Sequence, residues 1–124
     1  MKNILYIEPS KMFQLIMQDL LFKYGCNVIQ AASFEEAFEI INNQDIDYIF
    51  TATILKDMDL EKFVGKLEED NLNNYPIVLI SSIEEIKSIK NFFKLGITDF
   101  ILKKDLEKSD TIITLLKILD LRND

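Results

Sequence analysis

The segment Pro76-Ile77-Val78-Leu79-Ile80-Ser81 decides the fold. It is an apolar run of strand length, and the Ser82 and Glu85 that follow it form the capping-box pattern with which a helix begins. Before it, Asp59 is a good N-cap for a helix that would bury one apolar stripe. Residues Pro76 to Ile80 are therefore predicted to be a strand between two helices, which is typical of α/β proteins.

The same alternation of strand and helix repeats five times along the chain. The other apolar runs of strand length lie at residues 3–7, 27–31, 47–52 and 98–102. N-cap residues begin the remaining helices: Ser10, Ser33 and either Ser109 or Asp110. Strands that alternate with helices imply a parallel sheet covered on both faces, and right-handed crossovers favour a doubly wound α/β sheet.

The composition is that of one folded domain. The chain has 124 residues, 48% of them hydrophobic, and we expect a single domain over residues 1–124, either whole or the first domain of a longer protein. No apolar run approaches the roughly 18 residues of a membrane span, and the N-terminus lacks a secretory signal pattern. Cys26 is the only cysteine and cannot form an internal disulfide, so the cytoplasm is the expected location.

The net charge of −7 and the absence of histidine exclude several classes of function. An acidic chain with no basic patch would be repelled by phosphate backbones, so we expect no nucleic acid binding by this domain alone. A chain without histidine lacks the commonest general base and the commonest metal ligand. The absence of histidine also excludes phosphohistidine chemistry on this chain.

Polar residues follow the predicted strands at their carboxyl ends, where ligands bind in doubly wound sheets. Glu8 follows the first strand, Ser81 the fourth and Lys103 the fifth. Such a set could hold a small anion through the lysine and backbone N–H groups. The same residues are also ordinary at strand ends and helix caps, and Glu8 and Lys103 could simply pair with each other.

Nearly the whole chain resembles the receiver domain of two-component response regulators and is similar to the chemotaxis response regulators. The resemblance lies in an ordered series of segments at residues 7–10, 31–37, 47–50, 58–59, 76–81 and 96–103. No single segment is specific, but the series in this order and spacing is. It implies a flavodoxin-like sheet of five parallel strands in the order 2-1-3-4-5 and a role in phosphorelay signal transduction.

The resemblance also implies a phosphorylation pocket with five positions. Receivers use two acids to hold Mg²⁺, an aspartate that accepts a phosphoryl group from a histidine kinase, and a hydroxyl and a lysine that contact the phosphoryl oxygens. In this chain those positions are Glu8, Pro9, Ala52, Ser81 and Lys103, in that order. Ala52 has no oxygen to attack phosphorus, and the Pro9 side chain cannot ligate a metal. We therefore expect a nonfunctional acceptor position with four pocket remnants and no Mg²⁺ binding.

Other positions near the pocket depart from the family pattern as well. Receivers usually carry a proline after the lysine, often in a cis peptide, whereas Lys104 stands here, so a trans bond is expected. Thr51 and Thr53 flank Ala52, but strand alternation should point them away from it. Asp59 is more typical of a helix cap than of a replacement acceptor.

Phe100 occupies the position of the aromatic residue that receivers use, together with the hydroxyl at Ser81, as a conformational switch. Without a phosphoryl group nothing pulls Ser81 inward, so we expect the domain to stay in one conformation. A phenylalanine has no hydroxyl, and Phe100 is alternatively expected to be buried core.

The last predicted helix is apolar on almost every side, so we expect it to be buried on more than one side. Receivers that resemble this chain often dimerise or bind effectors through helix four, strand five and helix five. The candidate residues for a homodimer or partner contact are Phe92, Ile113, Ile118 and Leu121. The alternative is that only one stripe packs and the others are scattered surface residues.

These observations predict a degenerate receiver domain that binds a histidine kinase or an effector and is independent of phosphorylation. An authentic receiver whose aspartate at position 52 was replaced by engineering is the alternative. A flavin-binding or other small-ligand protein on the same fold is a third hypothesis. It is disfavoured because the turn at residues 8–11 lacks a glycine-rich or hydroxyl-rich phosphate loop.

Overall fold

Five parallel strands form one sheet through the centre of the molecule. The computed structural model describes residues 1–53, 55–72, 74–87 and 92–120. The strands are β1 (Asn3–Ile7), β2 (Asn27–Ala31), β3 (Tyr48–Thr51), β4 (Ile77–Ser81) and β5 (Ile97–Leu102). Neighbouring strands pair in the order β2-β1-β3-β4-β5. The predicted sheet, the parallel direction of its strands and their order are confirmed.

Helices connect the strands and cover both faces of the sheet. They are α1 (Lys11–Phe22), α2 (Phe34–Asn43), α3 (Leu60–Glu69), α4 (Ile83–Lys87) and α5 (Ser109–Ile118). Short 3₁₀ helices lie at Phe92–Leu95 and Lys103–Asp105. Within the ranges that the structure describes, no helix is both long enough and apolar enough to cross a membrane.

The sheet separates two hydrophobic cores, as expected of a doubly wound sheet. Along β1, Leu5 and Ile7 belong to the core that includes residues of α2 and α3. Ile4 and Tyr6 belong to the opposite core, with residues of α1 and α5. Side chains alternate between the two faces of a strand, so β1 contributes to both cores. Full burial of each large apolar side chain stabilises the fold by roughly 1.5–3 kcal/mol.

The predicted N-caps begin three of the helices. Ser10, Ser33 and Asp59 each accept a hydrogen bond from the backbone N–H three residues later, over distances of 2.9–3.5 Å. Ser33 and Glu36 also form the sequence pattern of a capping box, but the structure shows a different partner for Glu36. The Glu36 carboxylate accepts from the N–H of Ala32, one residue before the cap, at 3.2 Å. The helix starts were therefore predictable from local sequence, although the backbone N–H group that Glu36 binds was not.

Asp57 joins the loop after β3 to helix α2. Its carboxylate accepts hydrogen bonds from two N–H groups in the first turn of α2, those of Phe34 at 3.3 Å and Glu35 at 2.9 Å. The first N–H groups of a helix have no partner within the helix and carry partial positive charge, so a carboxylate is favourable there. One side chain thus connects two elements that are distant in the sequence.

The fourth helix differs from its prediction. The apolar residues between Ser82 and Gly96 predict one continuous helix. The structure instead shows α4 ending at Lys87 and a separate 3₁₀ helix at Phe92–Leu95. The residues between them, including Ile89, lie outside the described ranges. Ser82 does cap α4, accepting from the Glu85 N–H at 3.3 Å. The Glu85 carboxylate accepts instead from the Ser81 hydroxyl at 2.5 Å, so a tertiary partner replaces the expected capping box.

Gly25 and Gly65 provide a matched pair of substitutions with opposite expected effects. Gly25 has a φ of +76°, whereas Gly65 lies inside α3, and a Cβ would meet nothing within 4 Å at either position. We expect Gly25→Ala to lower the free energy of unfolding by about 1–2 kcal/mol, because L-residues are strained at positive φ.

Gly65→Ala is the control and should raise that free energy by about 0.5–1 kcal/mol, because alanine is a better helix former. Urea denaturation of both variants beside the wild type measures the two changes. A stabilising Gly25→Ala would contradict the left-handed conformation of this turn.

Candidate functional site

The carboxyl ends of four strands meet at one edge of the sheet, and the predicted pocket residues lie there. Glu8 directly follows β1, Ala52 follows β3, Ser81 ends β4 and Lys103 follows β5. Parallel strands direct these ends toward the same edge, so residues distant in sequence are brought together. The structure thus assembles the positions that sequence analysis selected.

A buried ion pair occupies the centre of this edge. The Lys103 Nζ atom lies 2.6 Å from the Glu8 Oε1 atom, and the Glu8 side chain has no solvent exposure, whereas that of Lys103 is 22% exposed. The other carboxylate oxygen of Glu8 accepts from the Ser10 N–H at 2.9 Å. The Lys103 ammonium also lies 4.8 Å from the centroid of the Phe13 ring, a favourable cation–π distance. The pairing that the sequence left open is therefore present.

Tyr6 is a further member of the site that sequence analysis missed. Its hydroxyl donates to Glu8 Oε1 across 3.4 Å, a long hydrogen bond between two buried side chains. Burial, and then the negative charge of Glu8, raise the pKa of Tyr6 well above its usual range, so the hydroxyl keeps its proton. The signal was available, because residues two apart in a strand lie on the same face.

Ala52 presents only a methyl group at the acceptor position. The residue is 3% exposed and packs in the core that contains residues of α2 and α3. Its N–H donates to the carbonyl oxygen of Ile7 at 2.9 Å, and its carbonyl accepts from the Thr51 hydroxyl at 2.8 Å. The backbone is thus held as a continuation of the sheet, and the side chain carries no group that could react with phosphorus.

The Ser81 hydroxyl is engaged by two neighbours. It is fully buried and lies 2.7 Å from the Thr53 hydroxyl and 2.5 Å from the Glu85 Oε2 atom, to which it donates. Thr53, which was expected to point away from Ala52, thus contacts another of the pocket positions. Strand β3 ends at Thr51, so the two-residue alternation of a strand no longer sets the direction of the Thr53 side chain.

The donor set at this edge is a poor fit for Mg²⁺, the ion that the fold family implies. Mg²⁺ demands near-ideal octahedral geometry with oxygen ligands and dehydrates reluctantly. Glu8 supplies the sole carboxylate among the five pocket positions, and both of its oxygens already accept hydrogen bonds or an ion pair. Over the described part of the chain, no three His, Cys, Asp or Glu side chains form a group that could hold a metal.

Two further positions were tested by the structure. The peptide bond between Lys103 and Lys104 is trans, as expected without a proline.

The alternative expectation that Phe100 is buried core was wrong, because its side chain is 46% exposed on β5. Phe100 alternates with Ile101, which is buried, and β5 is an edge strand. An outward position on an edge strand explains the exposure.

The four residues proposed for an interaction face differ in how far the structure exposes or describes them. Ile113 is 47% exposed on α5 and is available for contact. Ile118 is half-buried and packs against the core next to α1, so only part of its side chain is available for contact. The side chain of Phe92 and the whole of Leu121 lie outside the described residues. One stripe of α5 is buried, and it consists of Leu115, Leu116 and Leu119.

Known proteins match the chain over nearly its whole length. The family described as the response regulator receiver domain matches residues 4–116. A solved two-component response regulator from Clostridium difficile is 28% identical, with a TM-score of 0.82 and full coverage of both chains, 100% and 100%. A solved response regulator receiver protein from Pseudomonas putida shares the fold, with 18% identity, a TM-score of 0.78, and coverage of 92% of this chain and 96% of that chain.

A similarity in sequence extends to a longer curated protein. The transcriptional regulatory protein CrdR of Helicobacter pylori is 22% identical over 113 residues, which cover 90% of this chain. The matched region is 53% of that protein, so the chain spans about half the length of this curated relative.

The ion pair can be tested by removing its partners one at a time and together. We expect Lys103→Met to lower the free energy of unfolding by about 3 kcal/mol, because it leaves the buried Glu8 carboxylate without its counter-charge. The double variant Glu8→Gln with Lys103→Met should recover much of that loss, since no buried charge remains.

Urea denaturation of the two single variants and the double variant measures the coupling. Lys104→Met is the control, because Lys104 is the exposed neighbour and should change the unfolding free energy by no more than about 0.5 kcal/mol. Equal losses of unfolding free energy in the Lys103 and Lys104 variants would mean that the ion pair between Glu8 and Lys103 contributes little to stability.

Proposed function

Because the chain belongs to the response regulator receiver domain family, we propose that it is a degenerate receiver that acts by binding other proteins and not by carrying a phosphoryl group. The observation that carries the proposal is Ala52 at the end of β3. A phosphoryl group forms a covalent bond to a side-chain oxygen, and a methyl group offers none. The proposed module therefore has no catalytic turnover of its own.

The ion pair supports the proposal independently of Ala52. In receivers the lysine after strand five contacts phosphoryl oxygens, whereas here Lys103 lies 2.6 Å from Glu8. Glu8 would also be needed as a Mg²⁺ ligand, and Pro9 adds no side-chain donor. We therefore propose that the domain binds no Mg²⁺ at this edge and needs no cofactor.

The position of Ser81 supports a domain that stays in one conformation. Its hydroxyl is held between Thr53 and Glu85 over 2.7 and 2.5 Å, and no phosphoryl oxygen competes for it. A conformational equilibrium shifts only when something binds one state better than the other. In this proposal that ligand is a partner protein, such as a histidine kinase or an effector, in the cytoplasm.

The alternative is an authentic receiver whose aspartate at position 52 was replaced by engineering. The presence of Glu8, Ser81 and Lys103 at the expected strand ends favours it. Under this alternative, restoring the aspartate would restore phosphoryl transfer. Under our proposal the aspartate alone would not restore phosphoryl transfer, because residue 9 is a proline and the Mg²⁺ site would still lack its second acid.

Phosphoryl uptake is tested by intact mass after incubation with acetyl phosphate and Mg²⁺. We expect no adduct on the wild type, because residue 52 has no nucleophile, and no stoichiometric adduct on Ala52→Asp. The double variant Pro9→Asp with Ala52→Asp is the matched control, since it supplies both missing acids and should gain one phosphoryl group.

A stoichiometric adduct on the wild type would overturn the proposed function. An adduct on Ala52→Asp alone would replace it with the alternative of an engineered chain. An authentic receiver treated in the same way confirms that the phosphodonor is active.

For the partner contact we propose the face made by α4, β5 and α5, with a second copy of this chain as occupant. Two large apolar side chains are exposed on β5 and α5: Phe100 at 46% and Ile113 at 47%. A shallow groove of about 260 Å³ between β5 and α5 includes Phe100 and Thr114 in its lining. Exposed apolar side chains grouped on one face are typical of interaction surfaces.

Self-association is tested by sedimentation velocity at high protein concentration. We expect the wild type to form a dimer and Ile113→Glu to be monomeric, because a buried unpaired charge at the centre of a contact is costly. Phe22→Glu is the control, since Phe22 is 78% exposed on α1 and lies on a different face, and it should still dimerise. A monomeric wild type would contradict the homodimer.

A further inference from the structure

A chain of two hydrogen bonds crosses the carboxyl edge of the sheet. The Thr53 hydroxyl lies 2.7 Å from the Ser81 hydroxyl, and Ser81 donates to the Oε2 atom of Glu85 at 2.5 Å. Thr53 and Ser81 are buried, and Glu85 is half-buried in the first turn of α4. The chain therefore joins three elements: the loop after β3, the end of β4 and the start of α4.

The hydroxyl protons of this chain have one order. A carboxylate accepts hydrogen bonds and donates none, so the single proton of the Ser81 hydroxyl goes to Glu85. Ser81 must then accept the proton of the Thr53 hydroxyl. Hydrogen bonds to ionised groups are roughly twice as strong as neutral ones, so the bond to Glu85 is the stronger of the two. The carboxylate of Glu85 thus sets the direction of the whole chain.

Backbone contacts hold the chain at both ends. The Thr53 carbonyl oxygen accepts from the N–H of Leu60, the first residue of α3, at 3.2 Å. At the other end the Glu85 N–H donates to the Ser82 hydroxyl at 3.3 Å. The helix α4 has five residues, and helices shorter than about 12–15 residues depend on tertiary contacts in water. The bond between Glu85 and Ser81 is such a contact, because it fixes the first turn of α4 on β4.

We propose that the Glu85 carboxylate holds the loop between β4 and α4 in one arrangement and connects the start of α4 to the start of α3. When Glu85 leaves Ser81, the hydroxyl keeps its contact with Thr53, and the loop exchanges between two arrangements. A protein that docks on α4 shifts this equilibrium only if it binds one of the arrangements better. The inference concerns this loop and α4, and it does not require that residue 52 lacks a nucleophile.

The test is ¹⁵N relaxation dispersion of the backbone amides, which detects exchange on the microsecond-to-millisecond timescale. We expect no dispersion at Thr53, Ser82 and Ile83 in the wild type, and dispersion at all three in Glu85→Ala. Glu84→Ala is the matched control, because Glu84 is an exposed glutamate in the same helical turn, and it should show none. No dispersion in Glu85→Ala, or equal dispersion in Glu85→Ala and either the wild type or Glu84→Ala, would overturn the proposal.

A double-mutant cycle shows whether Glu85 acts through Ser81. We expect Ser81→Ala and Glu85→Ala each to raise the unfolding equilibrium constant about tenfold, as the loss of a charged hydrogen bond does. The double variant should raise it much less than the roughly hundredfold of independent effects, because both substitutions remove the same bond. Additive effects in urea denaturation would mean that Glu85 does not act through the Ser81 hydroxyl, and the proposal would be wrong.

The conservative variant Glu85→Gln keeps an acceptor oxygen without the charge, so it should show weaker dispersion than Glu85→Ala. If Glu85→Ala does not fold, the comparison of Glu85→Gln with Glu84→Gln decides, and equal dispersion in those two variants would overturn the proposal. An adduct on the wild type in the phosphodonor experiment would contradict the proposed function and leave these measurements intact. The two proposals therefore fail separately.

Discussion

The contact between Glu8 and Lys103 organises the carboxyl edge of the sheet. It joins the end of β1 to the end of β5, two strands that are not neighbours in the sheet. The Glu8 carboxylate is fully buried, so it requires partners on both oxygens, and Lys103, Ser10 and Tyr6 provide them. Because a buried charge without a partner is costly, this one contact constrains the loop after β1, the start of α1 and the turn after β5 together.

The same contact explains why an uncharged residue at position 52 is compatible with a stable fold. A lysine at a buried strand end needs a negative partner, and Glu8 supplies it within 2.6 Å. The methyl group of Ala52 then packs with the core beneath α2 and α3. Opposite charges are thus matched one to one at this edge, and no anion is required for neutrality.

Local signals in the sequence were sufficient for the fold. The spacing of apolar residues predicted all five strands to within one residue of their bounds, and N-cap residues placed helix starts at Ser10, Ser33 and Asp59. Both signals depend only on residues that are close in the sequence. The resemblance gave the strand order, and the pocket positions followed from it.

The predictions that failed concern contacts that depend on tertiary packing. Thr53 turns toward Ser81 because the strand has already ended, and Glu85 leaves its capping role for a hydroxyl on β4. Phe100 is exposed because β5 lies at the edge of the sheet, which no periodicity within β5 reveals. Tyr6 was overlooked because a tyrosine in an apolar run is most simply explained as core.

The carboxylate of Asp57 gives the loop after β3 a second attachment that does not pass through the backbone. Both of its oxygens bond to the first turn of α2, so the loop is attached directly to the start of that helix. This attachment is noncovalent and depends on a single side chain. A displacement of α2 by a docked protein would therefore reach the neighbourhood of Ala52 mechanically, with no chemistry at the pocket.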